Sequence, residues 1–471
     1  MMQKIITGDL KINSKLVPFY FDGERITIRE KEDNEISAIF FRDSTTTEKH
    51  DTIYGTTDTG SYIVFFGVCY TEGRSNILAQ GWAVSSGSVQ PCPLRTFEAI
   101  KFTGYSIDAF FTPKRAIAQD YSHIPDGERH KWMPKLAPCP QNEYVQDFNI
   151  FIDNENIGIR LCVYTNYKLR RHERDIGTVT SQLVFKFHEP VAINKLPKYY
   201  RYAHDLMQFI SFRQNIKFDS VILCKKSDNV NIGLYEIANC EFYTRNFELE
   251  YKNSDLNSIT FEDIDTSVSK LFEYIASRRL NGVVTDDMYT PLSDSDYNVV
   301  SYPSFLSCVL SFEGEYNRCY PDQKANANPL FLRVKENIKT SILVENFDYQ
   351  LASNKEKNKV SSYHKKFDRA IEMVDSSLEE KFNHLCKVYR NIISQFIKRV
   401  MNEKGIVESE KNNLGRALSE MRNSIGHGMP IPMNDTHVAA FRIARCFIYV
   451  LILDKSDVPH DNIKAIIEKM F

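Results

Sequence analysis

"SSLEEKFNHLCKVYRNIISQFIKRVMNE", residues 376–403, carries Leu378, Phe382, Leu385, Val388, Ile392, Phe396 and Val400 at three- and four-residue intervals. That spacing returns to one side of an α-helix and predicts a single amphipathic helix with a stripe of about six turns. A stripe this long is stable only against partner helices. They follow at once: about 408–425 places Leu414, Leu418 and Met421 on one side, and about 434–453 contributes Val438, Phe441, Ala444, Phe447 and Leu451. Upstream, "SYPSFLSCVLSFEGEYNRCY" (301–320) and "NPLFLRVKENIKTSILVEN" (328–346) also read as helical. Short connections between long helices favour antiparallel packing, so residues 293–471 are expected to form a helical bundle.

The other end of the chain has a different period. Over roughly the first 190 residues, runs rich in Val, Ile, Phe and Tyr alternate with Gly, Asn, Asp and Ser, as strands alternate with turns. Examples are "KIITGDLKI" (4–12), "RITIRE" (25–30), "SYIVFFGVCY" (61–70), "IGIRLCVY" (157–164) and "SQLVFKF" (181–187). In the last, Leu183, Phe185 and Phe187 alternate with Gln182, Val184 and Lys186, giving one apolar face. Two packed antiparallel sheets bury such faces, so residues 1–192 are expected to be β-rich and sandwich-like. Between 193 and 292 the pattern is mixed. "YAHDLMQFISFRQNI" is helical, "DSVILCKK" and "NIGLYEIANCEFY" are strands, and "DIDTSVSKLFEYIASRR" is a helix with Ile264, Val268, Leu271 and Ile275 on one stripe. The Asp-, Ser- and Pro-rich "DDMYTPLSDSDYN" (286–298) marks the boundary before the bundle. The expected fold class is α+β, multidomain, with no internal repeat; "ASNKEKNKVSSYHKK" (352–366) reads as a lysine-rich linker.

Composition narrows function without naming it. The 471 residues are 42% hydrophobic and 25% charged, as in ordinary globular chains, and the net charge of -2 leaves no whole-chain basic field. Ten cysteines are scattered without a CxxC pair, which predicts reduced, mostly buried thiols. The longest apolar run, "CFIYVLIL" (446–453), is well short of the roughly 20 residues of a bilayer crossing, and "MMQKIITGDLKINSK" lacks a secretory core, so a cytoplasmic location is expected. There is no P-loop and no HExxH. In the proline-rich stretch 122–143, His123, His130 and Cys139 fit no standard zinc spacing, and no metal or cofactor is expected. "YKLRRHERD" (167–175) interleaves acids with its bases and reads as a solvated hairpin tip.

One segment carries chemistry: "SEMRNSIGHGMPIP", 419–432. Asn423 and His427 are four apart and stack on one helix face, while Arg422 lies about 140° round from His427. Gly426, Gly428, Pro430 and Pro432 predict that the helix stops here, with His427 at its partly negative C-terminus. An unperturbed histidine titrates near ~6.5 and exchanges protons at neutral pH. Arginine adds a permanent forked cation for phosphate oxygens. Together they suit attack of a ribose 2'-hydroxyl on the adjacent phosphate, with no metal required. A capping histidine beside a solvated arginine accounts for the same residues without any chemistry.

"RNSIGHG" resembles the R-x4-6-H motif of HEPN domains, helical bundles that include ribonucleases. "SYPSFLSCVLSFEGEYNRCY" resembles the opening helix of the ApeA-like branch, whose glutamate falls at Glu313, or else at Glu315. The β-rich region, from "LVFKFHEP" into "DLMQFISFRQNI", is similar to the N-terminal part of ApeA-type anti-phage proteins. The resemblance implies a metal-independent endoribonuclease in which Arg422 and His427 cut RNA, transfer RNA included among the candidates, when a phage-derived trigger is sensed. Asn423 would orient the histidine or a phosphate oxygen, and Glu313 would position Arg422 or a ribose hydroxyl. It further implies a homodimer with two motifs facing one cleft, and restraint by the N-terminal region. The rival expectation is a noncatalytic HEPN module that only dimerises or binds nucleotide, beside a β-rich partner-recognition region.

Overall fold

The computed structural model describes residues 5–12, 15–23, 25–28, 52–70, 76–86, 93–120, 135–138, 144–170, 173–227, 233–242, 258–278, 290–291, 298–321, 333, 337, 377–411, 413–428 and 431–471. The chain divides into two compact units, Met1–Asn281 and Gly282–Phe471. Outside the described residues lie His123, His130, Cys139, the lysine-rich stretch 352–366 and most of the expected boundary 286–298.

The first unit is built on antiparallel strands. Its leading strands are β1 (Ile6–Ile12), β2 (Lys15–Phe21), β3 (Arg25–Ile28), β4 (Thr52–Thr57), β5 (Tyr62–Phe66), β6 (Cys69–Tyr70), β7 (Asn76–Leu78) and β8 (Gly81–Ser85). They are followed by β9 (Thr96–Thr103), β10 (Ile117–Asp120), β11 (Lys135–Pro138), β12 (Val145–Ile152), β13 (Glu155–Arg170), β14 (Glu173–Ala192), β15 (Ser220–Lys226) and β16 (Leu234–Phe242). Apart from the β10–β11 pair, all join one 14-stranded ladder, in the order β12-β13-β14-β9-β15-β16-β8-β5-β4-β1-β2-β3-β7-β6. The strands on either side of residue 192 share this sheet.

Two stacked sheets were the expectation; one sheet that curls supplies both layers instead. β3 pairs with β7, β8 pairs with β5, and only Ala79 and Gln80 separate β7 from β8, so the ladder returns on itself. The aromatic contacts show the closure. Phe21 on β2 meets Trp82 on β8 edge-on at 4.7 Å and Phe65 on β5 at 5.0 Å. In a flat sheet β2 and β8, four strands apart, would stand roughly 19 Å from each other. Leu10, Val17, Phe19, Ile26 and Ile63 fill the same interior. The run 61–70, read as a single strand, breaks into β5 and β6 at Gly67, whose φ of 58° favours glycine.

Beyond β8 the sheet is open, and helices α1 (Leu196–Ser211) and α2 (Val268–Ser277) pack on one face. Phe187 packs on Tyr199 of α1 at 4.6 Å, and Phe185 on Phe272 of α2 at 5.6 Å. Ile264, Val268, Leu271 and Ile275 are all buried, as their spacing predicts, although the helix is interrupted at Asp265, with φ 30°. Within the hairpin expected at 167–175, Lys168, Leu169 and Arg170 of β13 pair with Asp175, Arg174 and Glu173 of β14.

The second unit is helical: α3 (Tyr302–Cys319), α4 (Leu378–Val388), α5 (Arg390–Glu403), α6 (Asn413–Gly426), α7 (Asp435–Lys455) and α8 (His460–Met470). Reciprocal side-chain caps start three of them: Ser301 with Ser304, Ser377 with Glu380, and Asn434 with His437. Phe312 of α3, Phe382 of α4 and Phe447 of α7 pack together, Phe382 edge-on to Phe447 at 5.4 Å. Each such side chain contributes about 1.5–3 kcal/mol by leaving water. α7 is long and apolar enough to cross a membrane by length and composition, yet 83% of its apolar window is buried inside this unit. Its hydrophobicity serves as the core of the bundle.

The single helix expected over 376–403 is two. At Tyr389, φ -97° and ψ 23° end α4 and begin α5. Tyr389 is buried, donating its hydroxyl hydrogen bond to Asp454 at 2.7 Å, whereas Val388 is 50% exposed. The break turns the tyrosine inward in place of the valine; the other six stripe residues are buried as expected. Cys162, Cys224, Cys240, Cys308, Cys319, Cys386 and Cys446 are free thiols, and burial pushes Cys308 and Cys386 up to about 12, which favours the protonated thiol.

Candidate functional site

α3, α4 and α6 each place one charged side chain at a common point. On α3, Phe305, Val309, Phe312 and Tyr316 form the buried stripe, and Glu313 stands at its margin with its side chain 19% exposed. On α4, Lys381 sits within the apolar stripe between Leu378 and Leu385, its side chain 8% exposed. On α6, Leu414, Leu418 and Met421 face the core and Arg422 follows, 42% exposed. α6 comes close to α4 because residue 415 is glycine: a Cβ there would stand 3.1 Å from the Glu379 carbonyl oxygen.

Glu313 bridges the two cations. Its Oε1 is 3.6 Å from Lys381 Nζ, and its Oε2 is 3.7 Å from Arg422 Nη2. Arg422 Nη1 also donates a 3.1 Å hydrogen bond to the Asn423 side-chain oxygen. A guanidinium has five N–H donors, so this arrangement orients Arg422 while leaving donors for a ligand. The Lys381 ammonium lies 5.7 Å from the centre of the Tyr316 ring, an additional attraction for a desolvated cation. Burial, reinforced by Tyr320 and Glu380, pushes the Tyr316 phenol up to about 12, and its hydroxyl shares a 3.2 Å hydrogen bond with His384 Nδ1. Burial, with Lys387 beside it, holds His384 below the usual histidine range.

α6 ends at Gly426, as the Gly and Pro residues predict. The His427 N–H closes onto the Asn423 carbonyl at 3.0 Å, and Gly428, at φ 71°, takes the chain out of the helix. Asn423 and His427 are exposed. The histidine ring makes no hydrogen bond to Arg422, Asn423 or Glu313, so a single chain brings together the arginine, the asparagine and the glutamate and leaves the histidine in solvent. Ile431 is tied back to the bundle: its N donates to Ser424 Oγ at 3.5 Å, and Tyr302 OH donates to its carbonyl at 3.1 Å. No family model, curated protein or solved structure matches the chain.

Of the two acids on α3, only Glu313 faces Arg422. Glu315 is fully buried and pairs with Arg318 at 2.5 Å within its own helix. Lys381 was not anticipated. Its signal was present in the sequence, a cation three residues after Leu378 and four before Leu385, on the face that the apolar stripe marks as buried. Among the described residues there is no cluster of three or more side chains able to hold a metal ion.

Proposed function

We propose that the helical unit is a HEPN-type endoribonuclease centred on Arg422 and His427, with the β-rich unit restraining or triggering it, in an ApeA-like anti-phage protein of the cytoplasm. The supporting observation is the pose of Arg422, held by Glu313 and Asn423 with its side chain 42% exposed, beside an exposed histidine one turn further on. In the proposed reaction the ribose 2'-oxygen attacks the adjacent phosphorus and the bond to the 5'-oxygen breaks. A 2',3'-cyclic phosphate and a 5'-hydroxyl result. His427 takes the 2'-hydroxyl proton or returns one to the departing 5'-oxygen, and Arg422 stabilises the charge that builds on the phosphoryl oxygens. Two copies would bring two histidines to one cleft, giving base and acid together.

Purified protein incubated with cellular RNA in EDTA is expected to cleave it, and Arg422→Ala and His427→Ala are each expected to lose at least ~100-fold of the rate. Cleavage that survives both substitutions would overturn the site. The solvent-facing His427 ring, unattached to Arg422, also fits a noncatalytic module that dimerises or binds nucleotide. For that reading, no RNA is cut under any triggering condition while a nucleotide or a second copy still binds.

A further inference from the structure

Lys381 is the least exposed member of the charged group: 8% of its side chain is exposed, against 19% for Glu313 and 42% for Arg422. An ammonium so placed must be compensated where it stands, since an unpaired buried charge is costly. Its compensation is Glu313 Oε1 at 3.6 Å and the face of Tyr316 at 5.7 Å. The second oxygen of the same carboxylate serves Arg422 at 3.7 Å. Neither contact is at hydrogen-bond length. The carboxylate is shared between two cations on different helices and closes fully on neither, and the three charges sum to +1.

This sharing has a chemical consequence. A carboxylate free of Lys381 would form the paired, two-bond fork with Arg422 that such groups favour. The fork would occupy N–H groups that a phosphodiester needs and would cancel the charge that attracts it. We propose that Lys381 is a positioning residue of the site: by engaging one oxygen of Glu313, it keeps Arg422 oriented yet available to the scissile phosphate. It does so through Glu313, without touching RNA. The proposal rests on the ribonuclease reading and adds to it a residue from a third helix.

The test uses the full chain and measures kcat and KM on one oligoribonucleotide for the wild type, Lys381→Met, Lys381→Arg, Glu313→Gln and the Lys381→Met/Glu313→Gln double variant, with thermal unfolding recorded for each. Lys381→Met is expected to lower kcat ~10-fold or more, the size of a lost transition-state contact of about 1.4 kcal/mol, with a smaller change in KM. Lys381→Arg should restore most of the loss. In the Glu313→Gln background the methionine should cost nothing further, because the residue acts only through that carboxylate. Should the methionine variant fail to fold, Lys381→Gln takes its place in the same scheme. Wild-type kcat in Lys381→Met, or a loss that adds in full to that of Glu313→Gln, would overturn the positioning role. Arg422→Ala and His427→Ala run alongside. If they abolish cleavage while Lys381 proves neutral, only the positioning role fails. A wild type that cuts no RNA removes both.

Discussion

Arg422 shows how far single residues could be read from the chain. Its type and place beside Asn423 marked it, and the Gly and Pro residues located the helix end that carries His427. Lys381 escaped because its role depends on which helix packs against which, and no local spacing records that. His437 offers a test at this scale. Its Nδ1 accepts the Asn434 N–H at 3.2 Å, which only a neutral ring can do, and burial holds its titration below the usual range while Glu420 pulls weakly the other way. His384 is lowered by burial and by Lys387. In both cases the unfolded chain, titrating near ~6.5, binds the proton more tightly than the folded one. Stability from these rings is therefore fully present above that pH and declines as pH falls through it. Thermal melts should give a lower Tm at pH 5.5 than at 7.5, and His384→Gln/His437→Gln should narrow the gap. A gap unchanged in the double variant would refute the assignment.

At the scale of elements, period alone separated strands from helices, and six of seven stripe residues over 376–403 lie where the three/four spacing puts them. The break at Tyr389 was invisible because its cause is distant in sequence. The Tyr389 hydroxyl donates to Asp454 on α7 and accepts from Tyr320, just past the end of α3, at 3.3 Å, while His460 of α8 approaches the other Asp454 oxygen at 3.0 Å. Burial, with these hydrogen bonds, raises the phenol well above its ordinary range and keeps it a donor. Tyr389→Phe leaves an oxygen of Asp454 without that donor and should cost about 1.5–3 kcal/mol in urea unfolding. A loss below ~0.5 kcal/mol would mean that the hydroxyl does not hold the junction. The sandwich expectation missed for a comparable reason: alternation along a strand tells which side is apolar, not whether the opposing layer is a second sheet or the same one returning.

At the scale of the molecule, the α+β organisation was legible from the change of period near residue 300, and the helical unit begins at Gly282. Whether two copies share a cleft is decided by sedimentation: a homodimer is expected at concentrations where RNA is cut, and a strict monomer with full activity would exclude a shared site. A different consequence follows from the strand that serves both parts of the sheet. β7 and β8 close the ring with β3 and β5, and the outer edge of β8 is covered by β16. The Ser86 hydroxyl bonds the Glu236 carbonyl across 150 residues of chain. During synthesis the ring is complete once residue 85 has left the ribosome, but that edge waits for β16. For the interval it is an open template for other strands, so the nascent first unit is most exposed to aggregation between those two moments, and slower translation there lengthens the exposure.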